Sequence, residues 1–270
     1  MNSSIAARSY LFAPASRPER FDKALGAGAD AVIIDLEDAV APGEKTAARA
    51  ALAAWLTPAH KVLVRINAHG TAWFEDDLAL CRHAGISGIV VPKSEHATDL
   101  AHVYAVTKKA LYPIIESARG VDQLRELAGA DAVRCLVFGT IDFKLDLGID
   151  GDRDELLYFR SQIVLASRLA GLCAPVDGVT TAIDDSAQIS ADTLYAQRIG
   201  FGAKLCIHPK QVAPVNAAFA PSMAQLAWAH RVLAVARNAG RGAVALDGKM
   251  IDLPVILKAE QVVQDAARRT

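Results

Sequence analysis

The chain has 270 residues, 52% hydrophobic and 22% charged, enough to bury a sizeable core and close to the length at which an α/β barrel forms one domain. A formal net charge of −1 without any lysine or arginine block argues against nucleic acid or an anionic membrane surface, and leaves small molecules or copies of the chain as partners. Cys81, Cys135, Cys173 and Cys206 lie far apart and form no Cys-x-x-Cys pair, so neither a zinc site nor a disulfide scaffold is indicated and a reducing cytoplasm is the expected compartment. No apolar run approaches the ~18 residues of a membrane span, and Arg8 interrupts the stretch where a secretory leader needs its apolar region.

In chain order, short apolar runs alternate with helix-like stretches. Tyr10–Ala13 precedes a helix opened by Pro18 and closing at Gly28; Ala31–Asp35 precedes Gly43–Leu56; Lys61–Ile66 precedes Ala72–Ala84; Gly88–Val91 precedes Glu95–Thr107. Leu111–Ile115 leads to a helix ending at Ala128, and Arg134–Phe138 leads through a long charged loop, Gly139–Arg153, to a helix over Asp154–Leu169. Val176–Val179 precedes Ala187–Ile199, and Lys204–Ile207 precedes a helix after Pro209. Eight such units are the count of a (β/α)8 TIM barrel, and the absence of Gly-x-Gly-x-x-Gly after the first strand weakens a dinucleotide fold. Beyond Phe219 the beat changes to a helix over Ser222–Asn238, Gly240–Gly242, a short Ala243–Leu246 stretch, a turn at Asp247-Gly248 and a last helix over Pro254–Arg269. We therefore expect a barrel over residues 1–220 and a C-terminal helical extension over 221–270. The extension's apolar stripe, Leu253, Val255, Ile256, Leu257, Val262 and Val263, needs a surface on the barrel or on a neighbouring subunit.

In such a barrel the carboxyl ends of all strands meet on one face, so the polar residues that end these runs converge. Glu116 and Asp142 are the metal candidates, because hard oxygen donors on adjacent strand ends suit magnesium, which typically takes only one or two protein carboxylates. The plain alternative for each is a surface ion pair or a helix cap. Asp35, Glu37 and Asp38 crowd three carboxylates into four residues, and Lys45, Arg49 and Arg65 are the natural compensating cations. Asp35 and Asp38 are expected to orient the site; Glu37 stands evenly between that role and catalysis. Arg65 can hold a carboxylate through a two-pronged hydrogen bond, its alternative being a buried salt bridge to Glu37. His208, before Pro209, is better read as a loop histidine bonded to backbone than as a general base.

Taken together, these motifs resemble the citrate lyase beta subunit-like family within the magnesium-dependent aldolase and malyl-coenzyme A lyase group. The resemblance runs through Arg8–Pro14, Asp35–Val40, Glu44-Lys45 with Ala48-Arg49, Val64–Asn67, Val91–Lys93, Ile115–Gly120, Gly139–Gly148, Cys206–Pro209 and Asp247–Asp252. It implies a barrel of the phosphoenolpyruvate/pyruvate-binding type in which Glu116 and Asp142 bind Mg2+. It further implies that Arg65 grips the carboxylate of a 2-oxo acid or its 2-hydroxy precursor, that Gly139 and Thr140 help bind substrate, and that Glu37 lies beside the metal with Lys45 close to it. Members of the family are commonly homotrimers in which the residue matching Asp252 reaches a neighbour's active site, so Asp252 is expected as an acid/base group supplied in trans. Phe143-Lys144 stands where the family usually has leucine and a small residue, placing a positive charge near the site. The expected reaction is carbon–carbon cleavage of a malyl-, citramalyl- or citryl-coenzyme A-like thioester to acetyl-coenzyme A and a 2-oxo acid. The alternatives are a citrate lyase beta subunit working on an acyl-carrier-protein thioester, an aldolase for free 2-oxo acids, and a non-catalytic scaffold subunit. Retention of Arg65, Glu116, Asp142 and Asp252 together speaks against the scaffold.

Overall fold

Aliphatic and β-branched runs become the eight parallel strands of a closed barrel in the computed structural model, which describes residues 7–238 and 244–267. The strands are β1 (Ser9–Pro14), β2 (Ala31–Asp35), β3 (Val62–Arg65), β4 (Ile86–Val91), β5 (Ala110–Ile115), β6 (Val137–Phe138), β7 (Val176–Asp177) and β8 (Ala203–Cys206). Each pairs with the next, and Ser9 opposite Lys204 and Leu11 opposite Cys206 close the ring between β1 and β8. The helices between them are α1 (Phe21–Leu25), α2 (Lys45–Trp55), α3 (Phe74–Leu80), α4 (Ala97–Thr107), α5 (Ala118–Asp122), α6 (Leu124–Gly129), α7 (Thr140–Leu147), α8 (Asp154–Leu169) and α9 (Ser186–Arg198), followed by α10 (Val212–Phe219). Inward side chains from every strand, among them Tyr10, Ile33, Leu63, Ile114, Val176 and Leu205, fill the barrel as one packed core.

Two expectations change. The helix expected up to Ala128 is broken at Gln123 into α5 and α6. The segment Gly139–Arg153 is not one long loop: Thr140–Leu147 forms α7, which buries Thr140 and Phe143 and turns Asp142, Lys144 and Asp146 away from the core. Gly148 stops α7 in the left-handed conformation at φ 67°, and Ile149 N–H donates back to Lys144 O at 2.9 Å, a Schellman ending that needs glycine's freedom.

Sheet pairing is thinnest where β6 meets β7, with Val137 opposite Val176 as the registered pair. A buried ion triad flanks that seam: Asp177 on β7 accepts from Arg160 Nε of α8 at 2.9 Å and lies 3.4 Å from Lys204 Nζ on β8. All three residues are buried.

The described residues divide into two compact units between Asn216 and Ala217. In the second, α11 (Met223–Asn238), a hairpin of β9 (Val244–Leu246) and β10 (Lys249–Ile251), and α12 (Leu253–Ala267) surround a small core of Ala229, Val232, Ile251 and Ala259. Asp247 and Gly248 both have positive φ, 51° and 72°, the two-residue turn that an Asp-Gly pair favours. The apolar stripe of α12 splits: Val255, Ile256, Val262 and Val263 pack on this core, whereas Leu253 and Leu257 are exposed. Gly240–Gly242, Ala243 and the helix end at Arg269 lie outside the described residues. Among the described residues, no helix is long and apolar enough to cross a membrane.

Candidate active site

Side chains two apart on a strand share a face. The alternation that sends Tyr10, Ile33, Leu63 and Ile114 into the core therefore sends Phe12, Asp35, Arg65 and Glu116 inward one step nearer the carboxyl end. With Gly139, Thr140 and Asp142 from the start of α7 they line one cavity of about 390 Å³ at that mouth. Five of the expected site residues, Arg65, Glu116, Gly139, Thr140 and Asp142, are thus brought together.

Asp35 organises the basic side of the cavity. Its carboxylate accepts from the backbone N–H of Glu37 at 2.9 Å and of Ala39 at 3.2 Å, and receives Arg65 through Nε at 2.7 Å and Nη2 at 2.6 Å. The guanidinium sits 4.9 Å from the centre of the Phe12 ring. One edge of Arg65 is therefore spent on Asp35, Nη1 donates to Asp38 Oδ2 at 3.5 Å, and the second proton of Nη2 remains for another acceptor. Burial works against the Arg65 charge, but the Asp35 and Glu37 carboxylates outweigh it and hold its pKa above the usual arginine value.

Glu37 is buried, with Oε2 3.0 Å from Arg65 Nη1 yet outside hydrogen-bonding geometry, so that oxygen has no donor. Its Oε1 lies 3.6 Å from Lys93 Nζ. Burial, with the Asp38 and Asp35 charges adding to it against Arg65 and Lys93, pushes the Glu37 carboxyl up to about 7. Glu116, also buried, accepts from the backbone N–H of Lys93 at 2.6 Å. Burial, together with the charges of Glu37 and Asp142, raises it to about 8 in spite of that bond. A carboxylate so poorly compensated facing a second one is a place where a divalent cation fits. Among the described residues, no three histidine, cysteine or acidic side chains form a ligand cluster, so a hard cation that keeps water and substrate oxygens suits the pair better than zinc.

Gly139 makes room for this arrangement. A Cβ there would lie 2.5 Å from Glu116 Oε2 and 2.7 Å from Glu116 Cβ. Gly139→Ala should therefore displace the Glu116 carboxylate, lower activity at least about tenfold and cost about 1–3 kcal/mol in stability. Kinetics and thermal melting would show it; unchanged kcat/KM would mean that Glu116 is not needed where it sits.

A family model described as HpcH/HpaI aldolase/citrate lyase matches residues 8–209 of this chain. The chain belongs to that family. A citrate lyase subunit beta-like protein of Mycobacterium tuberculosis (strain ATCC 25618 / H37Rv) is 39% identical over 277 residues, covering 100% of this chain and 99% of the relative. A (3S)-malyl-CoA thioesterase of Cereibacter sphaeroides (strain ATCC 17029 / ATH 2.4.9) is 36% identical over 269 residues, covering 96% and 94%. The crystal structure of protein CitE from Mycobacterium tuberculosis in complex with magnesium, acetoacetate and coenzyme A matches with a TM-score of 0.87 and 38% identity over 98% of this chain and 100% of that one. The HpcH/HpaI aldolase/citrate lyase family is one of lyase- and aldolase-type enzymes, and its barrel is the fold seen here.

Against that family background, several expected partners differ. Lys45 reaches the backbone rather than a carboxylate, its Nζ donating to Leu36 O and Glu37 O at 2.9 Å each. Arg49 compensates Asp77 and Asp76 on α3, not the cluster at Asp35–Asp38. The ammonium of Lys144 does not line the cavity: it faces Asp152 at 3.8 Å, while Phe143 is buried between the rings of Phe138 and Phe159. His208 Nδ1 accepts from Lys210 N–H at 3.2 Å and caps the turn there. Lys93 was missed as a site residue. It adopts φ 47°, rare for a side-chain-bearing residue, which aims its N–H at Glu116. Its place in Val91-Pro92-Lys93 was legible; its backbone role was not. Asp252 lies in the second unit, where its Oδ1 accepts from Val255 N–H at 3.3 Å as the cap of α12.

Proposed function

We propose that this chain is a magnesium-dependent carbon–carbon lyase that cleaves a 2-hydroxy acid acyl-coenzyme A thioester of the malyl, citramalyl or citryl kind into acetyl-coenzyme A and a 2-oxo acid. The observation that carries this reading is the buried, under-compensated Glu116 sharing a cavity with Asp142 and Arg65. Glu116 and Asp142 would hold Mg2+, which when bound polarises the 2-hydroxy and carboxylate oxygens of the substrate. The outer Nη1–Nη2 edge of Arg65, where Asp38 Oδ2 lies 3.5 Å from Nη1, would receive the substrate carboxylate. Glu37, which does not line that cavity but lies 3.0 Å from Arg65 at its edge, would take the hydroxyl proton as the C–O bond becomes C=O and the electron pair of the breaking C–C bond passes to the departing thioester enolate.

Asp252, supplied by a neighbouring subunit of a homotrimer, protonates the enolate carbon. On this reading Asp252→Asn lowers kcat by about 10²- to 10⁴-fold with little change in KM, measured at saturating magnesium. Mixing that variant with an Arg65 variant, so that one intact site forms between different subunits, restores part of the rate; no recovery argues against supply in trans.

The thioester arm would lie in a neighbouring hollow. A second hollow of about 320 Å³ shares Phe12, Pro14 and Ile207 with the first and adds Arg20 and Lys23, cations suited to phosphates, beside His208. The magnesium, acetoacetate and coenzyme A bound by the Mycobacterium tuberculosis relative support this reading.

The likeness to a malyl-CoA thioesterase favours a second reading, hydrolysis of the same thioesters. One assay separates the two. Purified protein with magnesium and malyl-, citramalyl- or citryl-coenzyme A yields acetyl-coenzyme A and a 2-oxo acid if it is a lyase, and free coenzyme A with the intact hydroxy acid if it is a thioesterase. Silence on all three, with pyruvate or oxaloacetate still binding, points to a carrier-protein thioester or a free-acid aldolase. Loss of magnesium binding as well would favour a scaffold.

A further inference from the structure

Asp146 sits one helical turn beyond Asp142 on α7, so both project from the same side of the helix. Its Oδ2 accepts the backbone N–H of Ala118 at 2.7 Å, and Ala118 follows Glu116 by two residues. The bond closes a small ring that runs from Glu116 through Ser117 and Ala118, across to Asp146, and back along one turn to Asp142. Both arms of the ring are stiff. On one side Ser117 caps α5, accepting from Gly120 N–H at 3.1 Å and donating to Glu95 Oε1 at 2.7 Å. On the other, Phe143 is clamped by Phe138 and Phe159 with ring centres 5.2 and 4.7 Å away, and α7 ends in its Schellman turn.

We infer that Asp146 is a positioning residue that fixes the spacing of Glu116 and Asp142 and thereby selects a small octahedral cation over a larger one; this rests on the reading that those two carboxylates hold magnesium. Magnesium demands near-ideal octahedral geometry with short bonds, whereas calcium accepts six to eight oxygens in looser shells. Slack between the two ligands therefore penalises magnesium more.

Calorimetric titration of the full chain with MgCl2 and separately with CaCl2 tests this. Asp146→Ala should weaken magnesium about tenfold, the lower end of what loss of a ligand-orienting partner costs, and weaken calcium less than about threefold. Asp146→Asn also loses the charge but keeps an oxygen that accepts from Ala118, and should stay within about threefold of the parent for both ions. Asp146→Glu keeps charge and acceptor but lengthens the link by a methylene; it weakens magnesium more than calcium and serves if the alanine variant folds poorly. Unchanged magnesium binding in Asp146→Ala, equal losses for both ions, or an asparagine variant as weak as alanine would overturn the inference. Parent protein that binds no magnesium, or Glu116→Gln that binds it as well as the parent, removes the metal reading itself and this inference with it.

Discussion

Replacing Glu116 with glutamine should make the metal-free protein melt at a higher temperature while abolishing magnesium-dependent turnover. Glu116 is 5% exposed, and its carboxyl is raised from an ordinary 4.5 to about 8 by burial and by its acidic neighbours. A carboxyl raised on folding favours the fold fully below its unfolded pKa, and that advantage is lost as pH climbs towards the folded value. The metal-free protein therefore loses stability between about pH 4.5 and 8, by roughly 2–4 kcal/mol for this one group. Glutamine carries no charge to desolvate, so Glu116→Gln should gain about 5–10 °C at pH 8 and almost nothing at pH 5. Added magnesium should stabilise the parent increasingly from pH 6 to 8 and leave the variant unmoved. Turnover should fall at least about 10³-fold, because the cation contributes several kcal/mol of charge stabilisation. A magnesium shift independent of pH, or a variant with full activity, would refute the assignment.

The second large effect is at Arg65, where lysine and alanine should fail differently. Arg65→Ala leaves the carboxylate of Asp35, 1% exposed, with two backbone N–H donors and no cation. Breaking a buried pair in this way costs about 3–5 kcal/mol, so a lower denaturation midpoint is expected along with lost activity. Arg65→Lys keeps a charge but cannot fork to Asp35 on one edge and to a substrate carboxylate on the other. It should fold with a smaller loss and show kcat/KM reduced about 10²-fold, close to 3 kcal/mol, mainly through KM. Lysine kinetics equal to the parent's would mean that the outer edge of Arg65 touches no substrate.

Much of this site was legible because strand periodicity is a strong constraint. Once Ile33, Leu63 and Ile114 are core, Asp35, Arg65 and Glu116 must share their side of the sheet, and parallel topology does the gathering. What stayed hidden depends on partners rather than on pattern. α7 shows no apolar period, because only Thr140 and Phe143 are buried, and its charges read as a loop. Arg49 carried the right sign but pairs with Asp77 rather than with the Asp35–Asp38 cluster, whereas Lys45 does sit against Glu37, on its carbonyl oxygen; proximity in sequence does not choose between such partners. The left-handed backbone at Lys93 has no signature in a residue type that rarely adopts it.

The ion triad at the thin seam of the barrel also limits how this protein can vary. Asp177 answers two cations at once, one from the neighbouring strand and one from the helix outside, where few peptide groups are left to tie the cylinder shut. Exchanging Asp177 strands two cations in a dry place, whereas exchanging Arg160 or Lys204 still leaves an ion pair. Either cation can therefore be exchanged alone, but Asp177 cannot change unless both cations change with it, and this one carboxylate fixes what the wall beside the cavity can become.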